Sequence, residues 1–344
     1  IILCSMFASP FVTRKILVKA NSNMLIVDDD GPADYRTIQE AINNANASCN
    51  TILVRSGSYY ETVIVNVSVS IIGEDRASTI VDGSFIGGNV FNVTVNNVGI
   101  SNLTIRKSGI SPPDSGIMLA HSSGNIIRNN KLIENTDGIS LYTSNYNIIS
   151  DNIISSNNYH AVYLYSSSSN VVSNNNVSGN FYGINLYSSS ENAILNNTVT
   201  SNYDGVTFYS SNNNLVSSNT IIDNNDGVIL TLYSNNNTIV HNNFNNINEV
   251  VSDSTNFWDF SGEGNFWSHY IALDMTGDGI LDTPYVIDDS NKDNFPLAGT
   301  FYLFNATLNG ETYSVSIICN LTIVNFRFRV GTETGNTITS FDTI

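Results

Sequence analysis

The stretch DGISLYTSNYNIISDNIISSNN, residues 137–158, decides the fold. It is poor in charge and rich in Asn, a residue that suits neither a helix interior nor a strand interior. Near-copies flank it on both sides. Aligned on Gly-Ile or its variants, they fall at Gly116-Ile117, Gly138-Ile139, Ala161-Val162, Gly183-Ile184, Gly205-Val206 and Gly227-Val228, in steps of 22, 23, 22, 22 and 22 residues. A period this regular signals a solenoid.

Each unit reads G-Φ-x-Φ and then N-x-Φ-x-x-N-x-Φ-x-x-N, where Φ is apolar. The first Asn column is Asn125, Asn147, Asn170, Asn192, Asn214 and Asn237. The second is Asn130, Asn152, Asn175, Asn197, Asn219 and Asn242, and the third is Asn135, Asn158, Asn180, Asn202 and Asn224. Three short alternating strands per unit, separated by corners, make one triangular turn of a parallel β-helix. Asn is assigned to the corners, where it tolerates left-handed backbone and pairs with its copy in the next coil. Weaker units extend back to residue 51, giving roughly nine coils and a length of about 45 Å.

Around this core the chain divides into four parts. Residues 1–24 read as the apolar remnant of an export leader. Residues 25–252 form the β-helix, lidded at its start by an amphipathic helix in TIQEAINNANA, with Ile38, Ala41, Ile42 and Ala45 on one face and Thr37 and Glu40 as a capping box. Residues 253–298 form the far cap, and residues 299–344 the opening of a β-sandwich. The expected fold is therefore all-β.

The formal charge is −17, from 13 basic and 30 acidic residues. That argues against nucleic acid or an anionic membrane as partner. No internal stretch is long and apolar enough to span a membrane. Cys4, Cys49 and Cys319 make no disulfide framework. Sequons such as Asn176 and Asn196 matter only if the chain is exported.

Four groups of residues are candidates for chemistry. Tyr142, Tyr165, Tyr187 and Tyr209 follow the second apolar position and point outward, with Tyr233 near the row. They would form a flat aromatic strip for sugar rings, although Tyr is also at home on exposed strands. Asp137, His160, Tyr182, Asp204 and Asp226 precede the Gly-Ile position. Asp204 and Asp226 sit on adjacent coils, where paired carboxylates do acid–base work or hold a cation, while Asp-Gly is also ordinary turn chemistry. His160 stands at the single 23-residue step. In DMTGDGILD, the side chains of Asp274, Thr276, Asp278 and Asp282 and the carbonyl of Ile280 match five ligand positions of a calcium loop, with Gly279 at the sharp turn and no Glu at its end.

Three segments carry a family resemblance: YRTIQEAINNA with NTILVRSGSYYETV, the coil GISLYTSNYNIISDNII, and GNFWSHYIALDMTGDGILDTPYVID. Over residues 25–298 the chain resembles NosD-type right-handed parallel β-helix proteins, within the pectin-lyase-like fold and its carbohydrate-binding and sugar-hydrolase domains. The leader reading makes export the expectation, to the periplasm, cell surface or exterior. The resemblance spans lyases, hydrolases, epimerases, copper-maturation factors and surface proteins. The Gly-His-Gly of the hydrolases and the Asp-Pro-His-Asp of the epimerases are absent. His121, His160, His241 and His269 are scattered, so copper is not expected; the acidic loop reads either as a calcium site or as a Gly-rich acidic turn of the cap. The sequence thus points to a monomeric, non-catalytic, cell-surface or secreted binder of polysaccharide. The rival readings are a polysaccharide-active enzyme using Asp204 and Asp226, a structural spacer, and a copper-maturation factor.

Overall fold

Strands of three to six residues with alternating buried positions cannot stand alone, and the chain closes them by winding. In the computed structural model, which describes residues 24–308, 311–319, 326–327 and 342–343, they stack into three parallel sheets of 10, 9 and 10 strands. The result is a right-handed parallel β-helix of about ten turns. Successive copies pair in register, as in Ile139 with Val162, then Ile184, then Val206. The inward apolar residues, such as Ile149, Val172, Ile194 and Val216, are fully buried and form one continuous core.

The short helix Ile38–Asn44 covers the first coil with Ile38, Ala41 and Ile42. Thr37 caps it by accepting the Glu40 N–H, but Glu40 returns its carboxylate to the Arg36 N–H rather than to Thr37, so the capping box is offset by one residue. The expected leader at residues 1–24 lies, except for Met24, outside the described residues. Beyond the helix, Thr300–Leu308 pairs with Glu311–Cys319 as an antiparallel hairpin, anchored where the backbone of Phe301 exchanges two hydrogen bonds with the Asn243 amide. Most of the expected β-sandwich beyond it lies outside the described residues.

The asparagines are more than corner residues. Each ladder Asn uses its own N–H and its Nδ2 to donate to the Oδ1 of the next copy, as Asn152 does to Asn175 at 3.0 Å in both bonds. Its remaining Nδ2 proton reaches a carbonyl one coil back, as Asn152 does to Ile127. None of these residues has positive φ. The left-handed residue is the one before: Asn129, Asp151, Asn174, Asn196 and Ser218 precede the second ladder at φ 54° to 61°. The third ladder runs through Asn157, not Asn158 as the sequence suggested, because Asn135 donates to Asn157 and Asn157 to Asn180. A serine ladder (Ser122, Ser144, Ser167, Ser189, Ser211, Ser234) runs beside them, each N–H bonding the next hydroxyl.

Because donors always point toward the C-terminus, each Asn ladder must finish on an acceptor. The second ends when the Asn265 N–H meets Asp293, and the third when Asn246 meets Glu249. The first ends on Asn291, whose amide donates to Asp288. Burial pushes the Asp293 carboxyl up to about 6 while three donors, including the Trp267 indole, hold it.

Candidate functional site

The outward face of the nine-stranded sheet brings most of the predicted residues together. The strands Asp137–Tyr142, His160–Tyr165, Tyr182–Tyr187, Asp204–Tyr209 and Asp226–Thr231 lie side by side. Their register places His160 beside Tyr182, Tyr182 beside Asp204, and Asp204 beside Asp226. The glycine that follows is set by close approach: a Cβ on Gly183 or Gly205 would lie within 3.0 Å of the next coil's glycine carbonyl. Ala161 takes this place at the 23-residue step, where one extra residue stands between Asn157 and Ala161.

Tyr142, Tyr165, Tyr187 and Tyr209 form one row, with ring centroids 5.1, 5.4 and 6.3 Å apart. The first two pairs are inclined by only 27° and 15°. At that spacing the rings must overlap face to face in an offset stack. The row is thus a pile of rings presenting edges and hydroxyls, and the expected flat strip is not built. Thr231 takes the next place in register, and Tyr233 sits off the row in a left-handed turn.

A second row, which the sequence reading missed, runs along the opposite rim. Tyr159, Phe181 and Tyr203 are exposed and stack at 6.0 and 4.8 Å. Its signal was present: each residue lies two places before the Gly-Ile position.

Between the rims lies a buried polar floor. Its Ser140, Asn185 and Thr207 are at most 3% exposed. At one end Asp137 accepts the His160 N–H and pairs with Nδ1 at 2.9 Å, while its other oxygen accepts the Ser140 hydroxyl. The imidazole is sandwiched between Tyr163 at 4.3 Å and Tyr182 at 5.1 Å. This arrangement fixes the ring of His160.

At the other end are Asp204 and Asp226. Burial, then the neighbouring Asp226 carboxylate, pushes Asp204 up to about 6. Asp226 is held by the Asn248 and Asn225 amides. Burial first and nearby acidic or phenolic groups second raise the hydroxyls of Tyr142, Tyr163, Tyr182 and Tyr209, so all four remain proton donors at physiological pH.

Buried polar atoms are nearly always hydrogen-bonded. Among the described residues five such side-chain atoms have no partner, and four belong to this face: Asn185 Oδ1, Asp204 Oδ1, Thr207 Oγ1 and Thr231 Oγ1. Asn185 and Thr207 are paired in register between Tyr182 and Tyr209 along these two strands, and the two phenols act on each other's titration. A separate cavity of about 450 Å³, lined by Asp223, Asn245, Asn246, Ile247 and His269, holds none of these atoms.

The acidic loop lies apart, in the cap. Gly279 has φ +88°, and Asp274 accepts the N–H groups of Gly277, Asp278 and Gly279. Asp278 accepts the Ile280 N–H and Asp282 that of Met275, while the Thr276 hydroxyl donates to Asp274. The turn is the one a calcium loop needs, but its carboxylates do not converge. Among the described residues only Asp28, Asp29 and Asp30 bring three ligand atoms within 4.8 Å of one another.

The winding and its three stacked sheets define a right-handed parallel β-helix. Residues 22–272 match the family described as periplasmic copper-binding protein (NosD), and the chain belongs to that family. Its fold is similar to that of XylC solved with xylose (TM-score 0.58, 12% identity, 71% of this chain and 68% of that one). It is also similar to the DFA-IIIase of Arthrobacter chlorophenolicus A6 in complex with GF2 (TM-score 0.54, 15% identity, 72% and 76%). No curated protein matches the chain significantly.

Among the described residues the histidines do not gather into a copper-type donor set. Copper favours nitrogen and sulfur donors. His160 is tied to Asp137, His241 to Glu263 and His269 to Glu249, and the one converging cluster among the described residues is all carboxylate. Among the described residues no helix is long and apolar enough to cross a membrane.

Proposed function

We propose that this chain is a non-catalytic glycan-binding protein of the cell envelope or exterior, with the face between the two aromatic rows as its site. The observation that carries the reading is the set of four unpartnered buried polar atoms on one face. A hydroxyl-rich ligand supplies what they lack once the phenols of Tyr182 and Tyr209 part. The rims contribute ring edges and hydroxyls along the solenoid axis, and His160 and Asp137 offer a rigid polar end to the site. Export rests on the family's periplasmic description.

The rival enzyme reading would use Asp204 and Asp226. Glycosidase carboxylates stand about 5–5.5 Å apart when retaining and 6.5–9.5 Å when inverting. Asp204 and Asp226 are register neighbours on adjacent strands, about 4.8 Å apart along the stack, which is short of the inverting range.

The test is binding to a glycan array by the wild type, by Asn185→Ala and by a Tyr165→Ala, Tyr187→Ala double variant. Each variant is expected to lose affinity by about tenfold or more, with little change in Tm, since Tyr165 and Tyr187 are more than a third exposed. Unaltered binding in both variants rejects the site. For the acidic loop we propose calcium as a stabilising ion that draws Asp274, Asp278 and Asp282 together. Added calcium is then expected to raise Tm by a few degrees, reversed by chelator; a flat response removes the ion from the account.

A further inference from the structure

We infer that the ligand is an uncharged glycan and that the site rejects uronate polymers; this rests on the glycan reading above. Two independent features of the face select in that direction. The first is charge. From Leu132 to Asn291 the chain contains no Lys or Arg. Every coil of the site, its floor, both rims and the joining turns fall within that span. The face instead carries Asp137, Asp204 and Asp226, in a chain of net charge −17. A polymer with one carboxylate per sugar, laid along the axis, meets like charge at several coils and no cation at any.

The second feature is hydrogen-bond polarity. Asn185 Oδ1 is an amide oxygen and accepts only. Asp204 Oδ1 also accepts when its carboxyl is ionised. Both are buried without a donor. A sugar hydroxyl donates to them, whereas an ionised uronate carboxylate cannot. Thr207 and Thr231 hydroxyls serve either role and do not offset this bias.

The experiment titrates the full chain by calorimetry with a panel of neutral polysaccharides (xylan, arabinan, dextran, fructan) and with polygalacturonate and alginate, each with and without calcium, at low and high salt. At least one neutral polymer is expected to bind about tenfold or more tighter than either uronate polymer at low salt. The gap is expected to narrow as salt screens the face, and to narrow at low salt in Asp226→Asn. Equal or tighter binding of a uronate polymer, in either calcium condition, overturns this inference and leaves the glycan reading intact. Failure of every polymer to bind overturns the glycan reading itself, and this inference with it.

Discussion

Replacing Asn175 by Ala is expected to destabilise the protein by about 3–6 kcal/mol, whereas Asn174→Gly, one residue earlier, changes stability by less than about 1 kcal/mol. Asn175 is buried in the second ladder. Its Oδ1 accepts two protons from Asn152, and its Nδ2 serves Ile149, Ser173 and Asn197. Truncation leaves two buried donors and several acceptors bare, at about 1–3 kcal/mol for each group that finds no substitute. Asn174 is exposed and left-handed at φ +56°. Glycine relaxes that backbone, and the loss is one exposed bond from Asn196. Urea denaturation of both variants decides the matter, and equal destabilisation would mean that ladder and corner asparagines do the same job.

Those two neighbours show where sequence reading works and where it stops. The period, the three-strand turn, the capping helix and the decay of the repeat near residue 250 were all legible, because each is a one-dimensional pattern of apolar spacing. The division of labour between adjacent asparagines was not. Asn157 and Asn158 differ by one position in a run of the same residue, and only the hydrogen-bond partner distinguishes a ladder member from a corner. The Tyr142–Tyr209 row and the Asp204–Asp226 pair were legible as columns. That the rings pile face to face was not, since ring orientation depends on how much room a coil spacing leaves. The Tyr159–Phe181–Tyr203 rim was missed because Phe and Tyr alternate in it, with Asn225 in the following coil. The unpartnered floor was invisible in principle, because Asn185 and Thr207 look like ordinary outward polar residues until the surrounding phenols bury them.

The second large effect expected is on pH dependence, through Asp204. Its carboxyl is raised from an ordinary 3.8 to about 6, by burial first and by Asp226 second. A raised acid holds its proton more tightly in the folded chain than in the unfolded one. Below about pH 3.8 both states are protonated and the group makes no charge-related demand on the fold. As pH rises from there to about 6 the unfolded chain releases the proton first, so stability falls; above about 6 the penalty is constant. Asp204→Asn imitates the protonated form, since its amide can donate to Asp226 without carrying charge. The variant is therefore expected to melt a few degrees above wild type at pH 7, with the difference shrinking toward zero as pH is lowered through 6 to 4. Asp293, raised in the same direction in the cap, titrates in both proteins and cancels in the comparison. A Tm difference that is flat across this window, or that grows on acidification, would show that burial beside Asp226 does not raise the Asp204 carboxyl.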